Sequence, residues 1–327
     1  MSKLAVLTLS LPIMAVAVAL MTPVSAYGEN TNGDFWSGIG VLSGDVTYRI
    51  GGNFTSPQPG SSAVYPFPLS KLEWPLNVTV MTFGADIPLY PGLELCTGFS
   101  KNVTTFSGKV KDSDYDSAGS GTLVIYSESD SDVQAITSDT VLRYWLLQDK
   151  QDDLVMGFGV GAGWIYEQFN WTASNIVQSD LTGPVALTAA QSGLVGTYYV
   201  ATSIPYLELA GKIEQTNSLS VLFSFGYSPF AAVNDWDNHL LRQISATSSL
   251  NGGAFKLSLK GKYDFAPNWF LTGRGDLLSF DMKGIENDLV YGNADNASGN
   301  FQGDTWTIEH ETSSTQYLFS FNVGRKF

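Results

Sequence analysis

From residue 36 onward, hydrophobic side chains alternate with polar residues or glycine at every second position. Leu154, Met156 and Phe158 follow one another at this spacing, with glycines between the later positions. Around residues 254–263 the apolar positions alternate with serine and lysine instead. Residues two apart in a strand point to the same face, so the pattern predicts many half-buried strands and no helical domain.

Ten segments carry this alternation and are predicted to be strands. They span roughly residues 36–50, 70–87, 92–107, 135–147, 153–171, 199–213, 218–228, 251–263, 268–283 and 314–327. Four connections between them are short, at 88–91, around 149–152, at 215–217 and at 266–267. Five are long and polar, at about 51–69, 108–134, 172–198, 229–250 and 284–313. Short turns on one side and long connections on the other are typical of a transmembrane β-barrel with a lipid-facing exterior and a polar lumen.

The start of the chain predicts export. Lys3 precedes an apolar run over residues 4–20, and a Val-Ser-Ala cleavage site ends at Ala26. This is the pattern of a secretory signal peptide, so residues 1–26 are assigned to it and residues 27–327 to the barrel. No later apolar run reaches the ~18 residues of a transmembrane helix. The predicted fold is all-β: a ten-stranded antiparallel transmembrane β-barrel with long extracellular loops, located in the bacterial outer membrane.

The net charge and the single cysteine restrict the kinds of partner and site that the chain can have. The formal net charge of −14 argues against nucleic acid, because phosphate binding needs basic patches. The same charge favours attraction of cationic peptides. Cys96 is the single cysteine, which excludes an intrachain disulfide and a cysteine-rich metal site.

One stretch combines a histidine with two carboxylates. Asp235 and Asp237 precede His239 by four and two residues, so all three would share one face of a strand. A carboxylate beside an imidazole suits a general base, whereas the alternative is an acidic, solvated loop that happens to contain a histidine. Strict alternation from the apolar positions at 219–225 would turn His239 outward unless the register resets at Pro229.

A second pair of carboxylates, Asp112 and Asp114, opens the second long connection. Continuing the parity of Ser100 and Asn102 in the preceding strand turns both inward. His310, the other histidine, has no carboxylate at a comparable spacing, and we predict a solvated loop residue.

These motifs resemble those of the omptins, outer-membrane proteases with a ten-stranded barrel. That family has an Asp-x-Asp pair in the second extracellular loop and an Asp-x-His in the fourth, where Asp112-Ser113-Asp114 and Asp237-Asn238-His239 fall. Shorter similarities in the same order cover almost the whole mature chain. They are Val41-Leu42-Ser43-Gly44, Ser70-Lys71-Leu72-Glu73-Trp74, Trp145-Leu146-Leu147 and Pro205-Tyr206.

The resemblance implies an aspartic-type (Asp-His) endopeptidase with catalytic residues Asp112, Asp114, Asp237 and His239. In this reading His239 takes a proton from water and Asp237 supports the imidazolium. The opposing Asp pair positions the water. The mechanism requires no covalent intermediate, metal or cofactor. It implies peptide or protein substrates outside the cell.

The implied substrate-binding residues depart from the omptin pattern. Omptins hold a basic side chain before the scissile bond with two acidic residues. Asp235 matches one, whereas Tyr48 stands in place of the other and offers an aromatic face. Omptins bind the side chain after the scissile bond with a further acidic residue. The matching position here is near Ser127, next to Glu128. We therefore predict Asp235, Tyr48 and Glu128 as substrate-binding residues, with a relaxed demand for basic residues.

The lipid site of the family is not retained. Omptins hold lipopolysaccharide with basic residues on the outer wall, and the matching positions here are Gln168, Ala201 and Gly253. Outer-membrane lipid is an expected partner of the barrel wall, whereas a dependence on lipopolysaccharide stays open at this stage.

The main alternative is a non-enzymatic outer-membrane barrel, either an adhesin or an inactive omptin relative. Such a protein would share the fold and export signal and differ only at the four catalytic positions. A porin is disfavoured because a ten-stranded lumen is narrow and filled by side chains. A lipid-A-modifying enzyme would need a Ser-His-acid set, which is not found.

Overall fold

The computed structural model describes residues 33–56, 62–151, 153–183, 187–215, 218–293 and 299–327. The predicted signal peptide, and Asp152, Thr216 and Asn217 of the predicted turns, lie outside the described residues. No helix among the described residues is long and apolar enough to cross a membrane. The strands are β1 (Asp34–Thr55), β2 (Ala63–Pro75), β3 (Val78–Tyr90), β4 (Leu93–Asn102), β5 (Phe106–Tyr115), β6 (Leu123–Gln151), β7 (Leu154–Asp180), β8 (Leu187–Gln215), β9 (Leu219–His239), β10 (Ile244–Ala266), β11 (Trp269–Val290) and β12 (Thr305–Lys326).

These twelve strands form a closed antiparallel ring with ten positions around it, and we call each position a stave. Two staves consist of two strands in series, β2 with β3 and β4 with β5. The first half of β1 pairs with β3 and its second half with β2. Pairing of β12 with β1 closes the ring, from Asp34 opposite Lys326 to Thr55 opposite Thr307. The predicted ten-stranded barrel is confirmed, with two staves interrupted.

The strands extend well beyond their predicted ends. The stave predicted over 218–228 runs over Leu219–His239, and the one predicted over 268–283 runs over Trp269–Val290. Most residues assigned to long loops therefore lengthen the staves instead. Their outer faces lack a continuous apolar stripe, so hydrophobic periodicity did not reveal them.

Exposed apolar side chains surround one half of the barrel. Leu207, Phe223, Leu259 and Phe321 are 73%, 51%, 55% and 77% exposed and belong to this band. The short turns lie at the same end, and Gly33 and Phe327 are hydrogen-bonded there at 3.0 Å. We call this half the lower half, and the polar strand extensions the upper half. The aromatic side chains of Tyr317, Phe319 and Phe321 in β12 point outward in this band.

The glycine-rich face of β7 is explained by aromatic rings inside the barrel. Gly159 pairs with Trp145, and Gly163 pairs with Tyr206. A Cβ atom on Gly163 would lie 2.4 Å from Cζ of the Tyr206 ring. Glycine is therefore required where the ring lies flat against the wall.

Ion pairs fill the lower lumen. Arg143 lies 2.7 Å from carboxylate oxygens of both Glu94 and Glu208, and Lys256 and Arg274 both contact Asp139. A cavity of about 260 Å³ lies among these side chains. Its charged walls are paired with one another, and it is separate from the histidines of the upper half.

An aromatic layer closes the lumen above these ion pairs. Trp74, Trp171 and Tyr198 are buried, with Tyr198 stacked at 5.2 Å from Trp74 and 5.8 Å from Trp171 between ring centroids. The Trp171 indole donates a hydrogen bond of 2.8 Å to the carbonyl of Pro75. We call Trp74, Trp171 and Tyr198 the aromatic floor. Large side chains fill the barrel at this level, as expected for a narrow ten-stranded ring.

Candidate active site

A β-bulge in β9 sets the direction of the candidate catalytic residues. Ala231 pairs with Gly252 and Ser228 with Ala254, so Pro229 and Phe230 together lie opposite a single residue of β10. Ser228 and Ala231 both face inward and are fully buried. The extra residue resets the parity. The register reset that the sequence left open is confirmed, and Asp235 and Asp237 point into the lumen.

Asp237 and His239 form a close pair at the end of β9. Nε2 of His239 lies 3.0 Å from Oδ2 of Asp237, in an ion-pair contact that is poorly aligned for a hydrogen bond. The Asp237 side chain is 4% exposed and that of His239 is 32% exposed. The charge of Asp237 raises the pKa of His239 to about 9, against the opposing effect of burial. The pair therefore joins a buried carboxylate to an imidazole that solvent can reach.

Asp112 faces this pair from β5. It lies between Leu72 of β2 and Ser127 of β6 in the sheet, and its Oδ1 atom is buried with no hydrogen-bond partner among the described residues. Burial, followed by the charge of Asp114, raises the pKa of Asp112 to about 7, and the charge of His239 opposes the shift. Asp112, Asp237 and His239 thus share one electrostatic site, with Asp114 beside Asp112.

Asp235 is buried below the pair rather than open to a ligand. It is 6% exposed and accepts hydrogen bonds of 3.1 Å from the hydroxyls of Tyr198 and Thr312, and a third from Ser248. Burial raises its pKa to about 6, although these three hydroxyls oppose the shift.

Tyr48 is also closed off, so the prediction of an accessible aromatic face is wrong. It is 2% exposed, and its ring lies 4.4 Å from that of His310 between centroids. Its hydroxyl lies 2.7 and 2.6 Å from the two carboxylate oxygens of Glu286 and donates to that group. The ring and the hydroxyl therefore both have partners inside the protein.

Glu128 faces away from the candidate site, and its role as a substrate-binding residue stays a prediction of the sequence. Neighbouring Ser127 is 2% exposed and points inward, so alternation along β6 turns Glu128 outward. There it accepts a hydrogen bond of 2.8 Å from the hydroxyl of Tyr126 and lies 3.4 Å from Lys109.

His310 is not a solvated loop residue, and that prediction is wrong. It is 1% exposed, because β12 begins at Thr305 and carries the side chain into the lumen. Its Nδ1 atom lies 2.9 Å from the Ser248 hydroxyl, and its Nε2 atom lies 3.0 Å from the Thr312 hydroxyl. The carboxylates near it belong to β9 and β11, so spacing within its own segment did not reveal them.

Two acidic residues of β11 were missed in the sequence. Glu286 and Asp288 are 1% and 8% exposed and point inward, between the outward-facing Ile285 and Leu289. Burial raises the pKa of Asp288 to about 7, and the charge of His239 opposes the shift. The signal was an alternation of apolar and acidic positions at 285–289, within a segment we had assigned to a loop.

The positions that replace the family's lipid site lie on the outer wall. Gln168 and Ala201 are cross-strand partners, and Gly253 lies opposite the bulge of β9. None of the three side chains carries a charge. That the family's lipid site is not retained stays a prediction of the sequence, and a dependence on lipopolysaccharide stays open.

Comparison with known proteins identifies relatives of the chain. The Omptin family model matches residues 63–321. The plasminogen activator of Yersinia pestis is 24% identical over 190 residues, which are 57% of this chain and 59% of that protein. The match thus spans less than two thirds of that relative.

Solved structures show the same fold. The crystal structure of the outer membrane protease OmpT from Escherichia coli has a TM-score of 0.74 at 17% identity, covering 94% of this chain and all of that one. The outer membrane protein OprG from Pseudomonas aeruginosa has a TM-score of 0.38 at 10% identity, covering 91% of this chain and 97% of that one. The second likeness is too distant to bear on function.

Proposed function

Because the chain belongs to the omptin family of outer-membrane proteases, we propose that it is an active endopeptidase in which His239 activates water. The barrel lies in the bacterial outer membrane, and the upper half with the candidate site faces the exterior. The observation that carries the proposal is the contact of 3.0 Å between Asp237 and His239 on an inward-facing strand end, opposite Asp112.

His239 serves as the general base. Asp237 lies against Nε2, so that nitrogen carries the proton and Nδ1 accepts one from water. The buried carboxylate then stabilises the imidazolium that forms. The solvent-accessible side of His239 admits both water and the peptide.

Asp112 holds the water from the opposite side, with Asp114 as its neighbour. Its buried Oδ1 atom lacks a partner among the described residues, which suits an atom that binds water or substrate. Two close carboxylates resist double ionisation, and the raised pKa of Asp112 lets it carry a proton near neutral pH. A protonated Asp112 donates a hydrogen bond to the oxyanion of the tetrahedral intermediate.

The substrates are peptides or proteins at the cell surface, with cationic ones attracted most strongly. Asp112, Asp114, Asp237 and Asp288 all lie around the mouth, and the chain carries a net charge of −14. A concave acidic surface raises the local concentration of positively charged molecules. This attraction acts at long range and does not itself select the residue before the cut.

The test is digestion of a mixed peptide library by the refolded protein, with cut sites read by mass spectrometry. We expect cleavage by the native protein and by Asp281→Asn, which alters an exposed carboxylate on β11. His239→Ala should lower the rate by about 10²–10⁴-fold. No cleavage by the folded native protein would favour the non-enzymatic alternative. Equal cleavage by His239→Ala would exclude this site.

A further inference from the structure

Below the candidate catalytic pair, one imidazole separates two buried carboxylates. Nε2 of His310 lies 3.7 Å from Oδ2 of Asp235, and its Nδ1 atom lies 3.4 Å from Oε2 of Glu286. Four hydroxyls also contact the cluster, from Tyr48 of β1, Tyr198 of β8, Ser248 of β10 and Thr312 of β12. The carboxyl of Asp288 lies beside Glu286 on β11. His310 is therefore the group that fills the space between the acids of β9 and β11.

This cluster is sealed. Asp235, Glu286 and His310 are 6%, 1% and 1% exposed. Burial raises the pKa of Glu286 well above its ordinary value and lowers the pKa of His310 to about 3, so both groups are uncharged at neutral pH. Asp235, with a pKa of about 6, is the charged member of the cluster. A ligand cannot reach either carboxylate while the imidazole is in place.

The cluster also lies where a long substrate side chain would enter. Asp235 precedes Asp237 by two residues on the same face of β9, so it lies about 7 Å further into the barrel. The aromatic floor, through the Tyr198 hydroxyl, bounds the space from below. A side chain that extends inward from a peptide bound beside Asp237 is directed at the space occupied by His310.

We propose that His310 is a specificity-determining residue that fills a carboxylate pocket and so prevents selection of a basic residue before the cut. This inference rests on the proposed endopeptidase function. The native protein cleaves after small or uncharged residues, and basic residues gain no advantage there. Without the imidazole, Asp235 and Glu286 form a site for a guanidinium, whose planar donors pair with carboxylates at both edges.

The first experiment compares cut sites in the peptide library among three proteins. The native protein should show no enrichment of Arg or Lys before the cut. His310→Ala should raise kcat/KM for Arg-containing peptides relative to Ala-containing ones by about 10- to 100-fold, the worth of one charge-assisted pair. The double variant His310→Ala with Glu286→Gln should lose most of that gain. Strict Arg or Lys preference in the native protein would overturn the inference.

The second experiment does not depend on proteolysis. Methylguanidinium is titrated calorimetrically into the catalytically disabled variant His239→Ala and into the double variant His239→Ala with His310→Ala. Binding is expected only when His310 is absent, and Glu286→Gln should weaken it. Equal binding, or no binding, in both proteins would contradict the pocket. If no protein cleaves any peptide, the proposed function fails, while this titration still decides whether His310 fills a cation site.

Removal of the imidazole leaves two buried carboxylates without their neighbour, so His310→Ala is also tested for refolding. Methylguanidinium in the refolding buffer should restore the yield of folded barrel, measured by circular dichroism. Methylammonium, which lacks the planar donors, should restore it less. A yield that neither compound changes, in a variant that folds poorly, would count against the inference.

Discussion

The two histidines of the chain both lie in the upper half of the barrel beside carboxylates, yet their surroundings differ in access. The side chain of His239 is 32% exposed and contacts one carboxylate, whereas that of His310 is 0% exposed and lies between two carboxylates and two hydroxyls. A carboxylate neighbour alone does not make a general base, because the imidazole must also reach water. Access to solvent therefore distinguishes His239, the proposed base, from His310, which fills a pocket.

The strands explain the difference. His239 is the last residue of β9, where the sheet gives way to a four-residue turn at 240–243. His310 lies six positions into β12, with Ile50 of β1 and Gly284 of β11 on either side. The end of a stave opens to solvent, whereas an inward position further along it is covered from across the lumen.

The largest effect is expected when His239 loses its carboxylate. Asp237→Asn should lower kcat/KM by up to about 10⁴-fold, since an amide does not stabilise the imidazolium and favours the wrong tautomer. The change is measured with a peptide cut by the native protein, and Asp281→Asn is the control. A loss of less than about tenfold would mean that Asp237 does not support the base.

The pH profile tests the same contact. The active form needs neutral His239, whose pKa Asp237 raises to about 9, and protonated Asp112, whose pKa is about 7. The rate should therefore rise with pH up to about 7, stay level to about 9 and fall above that pH. In Asp237→Asn the main cause of the raised pKa is gone. The limb that falls above about pH 9 should therefore move to lower pH, and the maximal rate should also fall. An unchanged limb would show that another group controls it.

Asp112→Asn should have the next largest effect, about 10²-fold on kcat. The amide still occupies the space and contacts water but cannot carry the proton assigned to Asp112. Cleavage that remains at the native rate throughout the pH range would remove Asp112 from the mechanism. The kcat of His239→Ala, measured in parallel, gives the reference value for a site without its general base.

A smaller effect is expected around His310. Tyr48→Phe removes the hydroxyl that donates to Glu286, and we expect the free energy of unfolding to fall by about 1–3 kcal/mol. Cleavage of uncharged peptides should continue, because His310 still fills the pocket. Urea unfolding followed by tryptophan fluorescence measures the stability. Loss of cleavage in a stable Tyr48→Phe variant would show that the two histidine regions are coupled.

The smallest effect concerns Glu128, which faces outward toward Lys109. Glu128→Gln should change stability by no more than about 0.5 kcal/mol and leave the cut sites unchanged. The library digest measures the cut sites. A new preference at the residue after the cut would confirm Glu128 as a substrate-binding residue.

The lower half of the barrel was predictable from the sequence, whereas much of the upper half was not. In the lower half an exposed apolar residue recurs at every second position, as is typical of strands that face lipid, so the staves were evident from the sequence. In the upper half outward positions such as Glu128 face water and can be polar, and alternation disappears. Strand ends were accordingly placed too early, and residues such as His310 were assigned to loops.

The candidate site also has one part that the sequence predicts and one part that it does not. Asp237 and His239 were identified because residues two apart share a face within one strand. Their direction depended on the bulge at Pro229, whose partner strand the sequence does not reveal. Contacts of His310 with Asp235 and Glu286 join three strands across the lumen, and no spacing along the chain encodes them.

The most direct measurement of the difference between the histidines is site-resolved modification with diethylpyrocarbonate, which acylates accessible neutral imidazole. The folded protein is treated near pH 9, with modification read by mass spectrometry and cleavage assayed in parallel. Activity should fall in step with modification of His239, while His310 is modified only after unfolding. Full activity with His239 fully modified, or modification of His310 at the same rate in the folded protein, would contradict the account.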